Sequence, residues 1–180
     1  MITIGIAGGT CSGKTYLSEA LSERLREAGK KVALIHMDAF FKKVTPTTIA
    51  PFTGIEYVEH NHPDSFRLEE FYQAIDEAKA SDADAVVVEG LLVLYLKECR
   101  EKLDLKVFVD LKSDERLIRR IHKFMTLRNQ TMDEIADRYL DTVRYRHDEF
   151  VEPSRWYADV VFNGNGTKGA EILAAYTESF

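Results

Sequence analysis

The sequence predicts an α/β fold, a parallel sheet covered by helices on both faces, and three observations predict it. Short apolar strands alternate with amphipathic helical stretches along the chain. The first strand runs into a glycine loop, Gly8-Gly9-Thr10-Cys11-Ser12-Gly13-Lys14-Thr15, which has the form G-x-x-x-x-G-K-[ST] and opens a helix. No repeat, low-complexity tract or linker divides the 180 residues, a length that suits one domain. A hydrophobic content of 45% is enough to fill its core.

Taken in order, Ile2, Ile4 and Ile6 alternate with Thr3 and Gly5 as a buried strand ending at Ala7. The loop that follows is an anion site: backbone N–H groups wrap phosphates, the helix dipole favours negative charge, and Gly8 and Gly13 permit close backbone approach. Gly8 to Thr15 is therefore the expected triphosphate site, with Lys14 on the β- and γ-phosphates and the Thr15 hydroxyl on Mg²⁺. Cys11 reads as a small loop-filling residue; with Cys99 far away it forms neither a disulfide framework nor a zinc spacing. Leu17, Leu21 and Leu25 recur at helical spacing, and Gly29 ends that helix.

Val32 to Met37 reads as a second strand, with Asp38 at its end. From Ala39 to Phe66 three prolines and little periodicity predict a long irregular segment, which Phe40, Phe41, Phe52 and Tyr57 mark as packed and functional. A helix face follows at Leu68, Phe71, Tyr72, Ile75 and Ala78, then a strand from Ala83 to Val88 ending in Glu89-Gly90, and a short helix near Leu94 to Cys99. Leu105 to Val109 is a fourth strand and Ala158 to Phe162 a fifth. Between them lies a helical zone from about Asp114 to Phe150, broken near Asn129, and a closing helix is expected from Lys168 to Glu178.

Loops at the carboxyl ends of parallel strands converge on a ligand. Asp38 and Glu89 both end strands, so both are expected to face the phosphates. Asp38 is assigned as a general base, Glu89 as a metal-side carboxylate, and Thr15, Asp38 and Glu89 together as the metal-side oxygens. Arg116, Arg119, Arg120 and Lys123 share one helix face, and 9 Lys/Arg against 6 Asp/Glu give Lys112 to Arg146 a local net of +3 in a chain of −6. A solvated basic face is the ordinary account of such a run. After a phosphate loop it also predicts a lid around 119–131, with Arg119, Arg120 and Arg128 closing over transferring phosphates. His60, His62 and Asp64 lack convergent partners for zinc, so acceptor contacts or loop capping are the expectation for them.

The motifs GGTCSGKT, HMDAFF, HNHPDSF, VVVEGLL, KVFVD, RLIRR and EPSRWYADVVFNG together resemble the uridine kinases and their phosphoribulokinase-like relatives, in family order over nearly the whole chain. The resemblance implies a P-loop NTPase fold with a five-stranded parallel sheet. It implies ATP and Mg²⁺ as cofactors, and γ-phosphoryl transfer to a primary hydroxyl, such as a ribose 5′-OH, of a uridine- or cytidine-like nucleoside. Another riboside or a sugar-like metabolite, nicotinamide riboside for example, is the alternative acceptor. The family's catalytic aspartate falls on Asp38, its metal-linked glutamate on Glu89, an acceptor-site arginine on Arg120 and a lid arginine on Arg128. The acceptor side is expected to use Phe41, Tyr57, Asn61, His62 and Arg120. Here the chain departs from the pattern: Phe41 stands for a tyrosine, Asn61 for an aspartate, Lys123 and Gln130 for arginines, and Phe124 for an aspartate. The family's pyrimidine-gripping hairpin, expected between HNHPDSF and VVVEG, has no room here, since Phe66 and Arg67 lead at once into a helix.

The net charge of −6 argues against nucleic-acid and acidic-membrane partners. No apolar run approaches membrane-spanning length, and Met1 leads straight into the first strand, so a cytoplasmic protein with a small-molecule substrate is expected. Assembly into a homo-oligomer stays open. A guanine-reading N-K-x-D motif is absent, which ranks a GTPase-type switch low, and intact Lys14, Thr15, Asp38 and Glu89 speak against a degenerate module.

Overall fold

The computed structural model describes residues 1–164 and 166–177. Five parallel strands, β1 (Ile2–Gly8), β2 (Val32–His36), β5 (Ala85–Glu89), β6 (Leu105–Val109) and β7 (Val160–Phe162), form one sheet in the order β2-β5-β1-β6-β7. The order reverses at β1: the chain leaves it for β2 on one side and returns through β5 to β6 on the other. That switch point places the loop after β1 at the centre of the sheet's carboxyl edge, where such folds bind ligands.

Successive strand residues face opposite sides, and both sides are buried. Ile4, Ile6, Val87 and Val107 meet Leu17, Leu21 and Leu25 of α1 (Lys14–Glu27) and Leu173 of α8 (Gly166–Thr177). Ala7, Val86, Val88 and Phe108 meet Phe71 and Ile75 of α2 (Leu68–Ala80), with Leu92, Leu94 and Cys99 around the short α3 (Lys97–Arg100). Burial of the Cys99 thiol pushes its pKa up to about 12, so it is an apolar filler.

The helical zone after β6 breaks where the sequence predicts. α4 (Ser113–Arg128) ends at Asn129, whose φ of 51° is left-handed, and Thr131 and Glu134 form a reciprocal capping box on α5 (Met132–Arg138). The helix then continues through two π turns, Tyr139–Val143 and His147–Val151, separated by α6 (Arg144–Arg146) and followed by α7 (Glu152–Ser154). The second strand stops at His36, because Met37 is already buried in a 3₁₀ turn, Met37–Phe40. The segment expected to be irregular holds an antiparallel pair, β3 (Thr47–Ile49) and β4 (Glu56–Val58), and a bridge between Phe41 and Phe66 closes its base. The predicted end of the last helix, Glu178, lies outside the described residues.

Between Phe66 and Ala85 the chain is α2 and a turn, with no hairpin there. The antiparallel pair β3–β4 lies earlier, ahead of the HNHPDSF segment.

Candidate active site

The glycine loop takes its shape from two residues without side chains. Gly13, which precedes α1, has φ 102°, and a Cβ on Gly8 would lie 2.6 Å from the Val109 carbonyl oxygen. The Ser12 amide donates to the Gly9 carbonyl at 3.1 Å, curling the loop over the helix end, and the buried Ser12 hydroxyl has no partner among the described residues. Behind the loop, the guanidinium of buried Arg116 lies against Gly9, and its Nε donates to the Leu111 carbonyl at 2.9 Å.

Glu89, at the end of β5, is 5% exposed and is the hub of the loop's polar contacts. Its Oε1 accepts from the Thr15 hydroxyl at 3.1 Å and lies 3.7 Å from Lys14 Nζ; its Oε2 lies 2.8 Å from His36 Nδ1. Parallel pairing sets this geometry, because Glu89 is in register with Ile6 on one side and His36 on the other. Sequence reasoning passed over His36, although its place one residue inside the second strand and two before Asp38 was visible.

Asp38 sits exposed on the 3₁₀ turn after β2, above buried Met37. Arg67 fastens that turn: its Nη1 donates to the Phe41 carbonyl, its Nη2 to the Ala39 carbonyl at 3.3 Å, and its Nε to Glu70 at 2.8 Å. Asp38 shares one cleft with Thr10 and Lys14 of the loop and with Phe41, Asn61 and Arg120. His60, Leu91, Phe124, Arg128 and Arg138 complete the lining.

The arginines arrive from α4. Arg120 donates from Nη1 to Thr10 Oγ1 at 2.9 Å, and burial pushes its pKa down to about 10. Phe124, standing where the family pattern has an aspartate, lies between two cations: Arg120 at 4.5 Å and Arg128 at 4.3 Å from the ring centroid. Arg119 is exposed, pairs with Glu115 at 2.7 Å, and reaches toward Gly13.

On the acceptor side the residues separate. Phe41 stacks on Phe66 with centroids 4.4 Å apart and meets His60 edge-on at 5.2 Å. Asn61 is held by its neighbour Glu59, whose Oε1 accepts from the Asn61 amide at 2.7 Å while its Oε2 accepts from Arg146 at 2.8 Å. Tyr57 and His62 do not line the cleft. The Tyr57 hydroxyl donates to Asp141 at 2.8 Å, and His62 Nδ1 caps the Asp64 amide at 3.1 Å, the loop-capping role open to it from sequence. Phe52 is exposed on the hairpin. Arg67, Leu91 and Arg138 joined the site only in three dimensions. Among the described residues no group of three His, Cys, Asp or Glu side chains could hold a metal ion.

A glycine phosphate loop at the switch point of a five-stranded parallel sheet, facing a strand-end carboxylate and helix-borne arginines, defines a P-loop kinase, a phosphotransferase acting on a hydroxyl group. Residues 75–170 match the Phosphoribulokinase / Uridine kinase family. The chain is 32% identical to the uridine kinase of Clostridium botulinum (strain Okra / Type B1), covering 92% of this chain and 89% of that one. It is 30% identical to the uridine kinase of Lactococcus lactis subsp. lactis (strain IL1403), covering 96% and 93%. Phosphoribulokinase from Rhodobacter spheroides shares the fold with a TM-score of 0.66 at 16% identity, over 90% of this chain and 69% of that one. The chain belongs to the Phosphoribulokinase / Uridine kinase family.

Proposed function

We propose that this protein transfers the γ-phosphoryl group of Mg-ATP to a primary hydroxyl of a small riboside- or sugar-like acceptor, with Asp38 as the general base. The observation that carries this reading is the shared cleft: Asp38, the loop residues Thr10 and Lys14, and Arg120 all open onto it beside Phe41 and Asn61. Asp38 accepts the hydroxyl proton as the acceptor oxygen forms its bond to the γ-phosphorus. The bond from that phosphorus to the bridging oxygen breaks and ADP leaves with the electron pair. Lys14 and Arg120 lie where charge builds on the phosphoryl oxygens, which is where fixed cations help most.

The residues present also fit a nucleotide-borne Mg²⁺. Magnesium is held through one or two oxygen side chains, water and substrate phosphates rather than an all-protein cage. Thr15 and Glu89 supply such a pair of oxygens at the loop, with Asp38 a third on the cleft wall. Bound there, the ion would neutralise charge on the β- and γ-phosphates. His36 and Lys14 orient and offset the Glu89 carboxylate. The segment 119–131 serves as a lid that brings Arg119, Arg120 and Arg128 over the phosphates.

Uridine is the acceptor implied by the relatives' names, and a uridine- or cytidine-like nucleoside the one implied by the motif resemblance. One observation favours a second reading, another riboside or a sugar-like metabolite: α2 follows HNHPDSF directly, so no base-gripping hairpin stands there. ATP consumption with and without acceptors tests the proposal. A kinase forms ADP only when a phosphorylated acceptor also appears; a switch hydrolyses ATP alone, and a degenerate module does neither.

A further inference from the structure

Arg138, the last residue of α5, reaches into the acceptor half of the cleft beside Phe41, His60 and Asn61. Its Nη2 donates to the Val58 carbonyl at 2.6 Å, which fixes the guanidinium at the foot of the hairpin, and the Tyr57 ring centroid lies 5.8 Å away. Among the described residues it pairs with no carboxylate. Glu59, on the same loop, is taken by Arg146, and Asp141 accepts from Tyr57 and Thr53. Burial, and then the nearby Arg128, hold its pKa below the ordinary arginine value. Glu59 and Tyr57 act on it only through space; a half-buried guanidinium with no ion pair of its own is costly, and its fork of donors matches an oxyanion.

The surrounding charge points the same way. Lys14, Arg120, Arg128 and Arg138 face the cleft, and among the described residues Asp38 is the only carboxylate lining it. Burial, then Arg138 and Arg128, lower the His60 pKa, so its ring is neutral near pH 7. Lys14 contacts Glu89 and Arg120 contacts Thr10, both on the side of the site where the donor phosphates are proposed to bind. Arg138 comes from beyond the Asn129 break and sits with the acceptor loop instead. The cleft holds about 230 Å³, below the roughly 300–1,000 Å³ of sites for drug-sized ligands.

We propose that Arg138 binds a carboxylate or phosphate carried by the acceptor, so that the acceptor is a small anionic alcohol rather than a neutral nucleoside. This rests on the phosphotransfer reading above and narrows its acceptor.

The test compares matched acceptors that all keep a free primary hydroxyl in an ADP-release assay: glycerol with glycerol 3-phosphate, glycerol with glycerate, and uridine and cytidine beside them. The anionic member of a pair should show the higher kcat/KM, and the phosphate and carboxylate arms separate the two oxyanions. Arg138→Gln should lower kcat/KM for that acceptor by about 10- to 100-fold, the scale of a hydrogen bond to a charged group, mostly through KM. Arg138→Lys should retain part of it, and the Kd for Mg-ATP should stay unchanged in both. A second measurement needs no turnover. With the loop saturated by a non-hydrolysable Mg-ATP analogue, inorganic phosphate or glycerate should raise the Tm of the wild type and not that of Arg138→Gln. Equal Tm shifts in the two proteins, or none in the wild type, overturn the inference. Efficient turnover of uridine that Arg138→Gln leaves unchanged also overturns it, while leaving phosphotransfer standing. Failure to bind Mg-ATP, with no ADP release for any acceptor, takes both readings down together.

Discussion

In the proposed reaction Asp38 and Lys14 divide the chemistry between acceptor and donor, and substitutions at the two should separate accordingly. Asp38 stands on a turn held from below by Met37 and from the side by Arg67, so removing its charge leaves the backbone contacts in place. Asp38→Asn should lower kcat by about 10²- to 10⁴-fold, the usual cost of losing a general base, with Mg-ATP affinity nearly intact. Near-normal turnover in that variant would assign the base elsewhere. Lys14→Ala should weaken nucleotide binding in calorimetry and abolish turnover, since the triphosphate loses its main point charge. Unchanged ATP affinity with full activity would contradict the loop assignment. Both residues were legible in the sequence because a motif fixes them within a few positions of a strand end. His36 and Arg67 were not, since their roles depend on strand register and on a turn folding back.

At the scale of elements, the strands and the break at Asn129 follow from apolar runs and from a residue type that tolerates left-handed backbone. The β3–β4 hairpin did not show, because each strand is short, exposed and without clean alternation, and it is pinned by contacts from far along the chain: Arg138 to Val58 and Asp141 to Tyr57. That is also why Arg138 was missed at the cleft and why Tyr57, expected at the acceptor, is drawn to Asp141 instead. The break at Asn129 separates α4, which carries Arg120 and Arg128 of the cleft, from α5, which carries Arg138. If 119–131 closes as a lid, its amides should exchange with deuterium more slowly when a non-hydrolysable Mg-ATP analogue is bound. Identical exchange with and without nucleotide would rule out closure over the phosphates.

For the whole molecule, two apolar layers cover the central sheet, and Phe150 and Val151 of the π turn His147–Val151 seal one of them. His147 lies in that seal. Burial, and then the Arg116 charge, lower its pKa to about 4, against the favourable charges of Asp148 and Asp110; Glu152 lies 3.4 Å from Nε2, and the buried Nδ1 has no partner among the described residues. The native state thus prefers the neutral ring. The stability this supplies is fully present above the unfolded value of about 6.5 and is lost as pH falls from there toward 4. The loss should approach about 3 kcal/mol. Thermal melts between pH 7.5 and 4.5 should show it as a falling Tm, with His147→Gln flattening the profile across this window. An unaltered profile in that variant would place the acid sensitivity in other groups.

The central claim is transfer to an alcohol rather than hydrolysis, and ³¹P NMR of wild-type reactions with Mg-ATP tests it most directly. The account predicts a phosphomonoester signal growing in step with ADP when a competent acceptor is present, and negligible inorganic phosphate when none is. ADP and free phosphate forming at the same rate with and without acceptor, and no phosphomonoester, would contradict it.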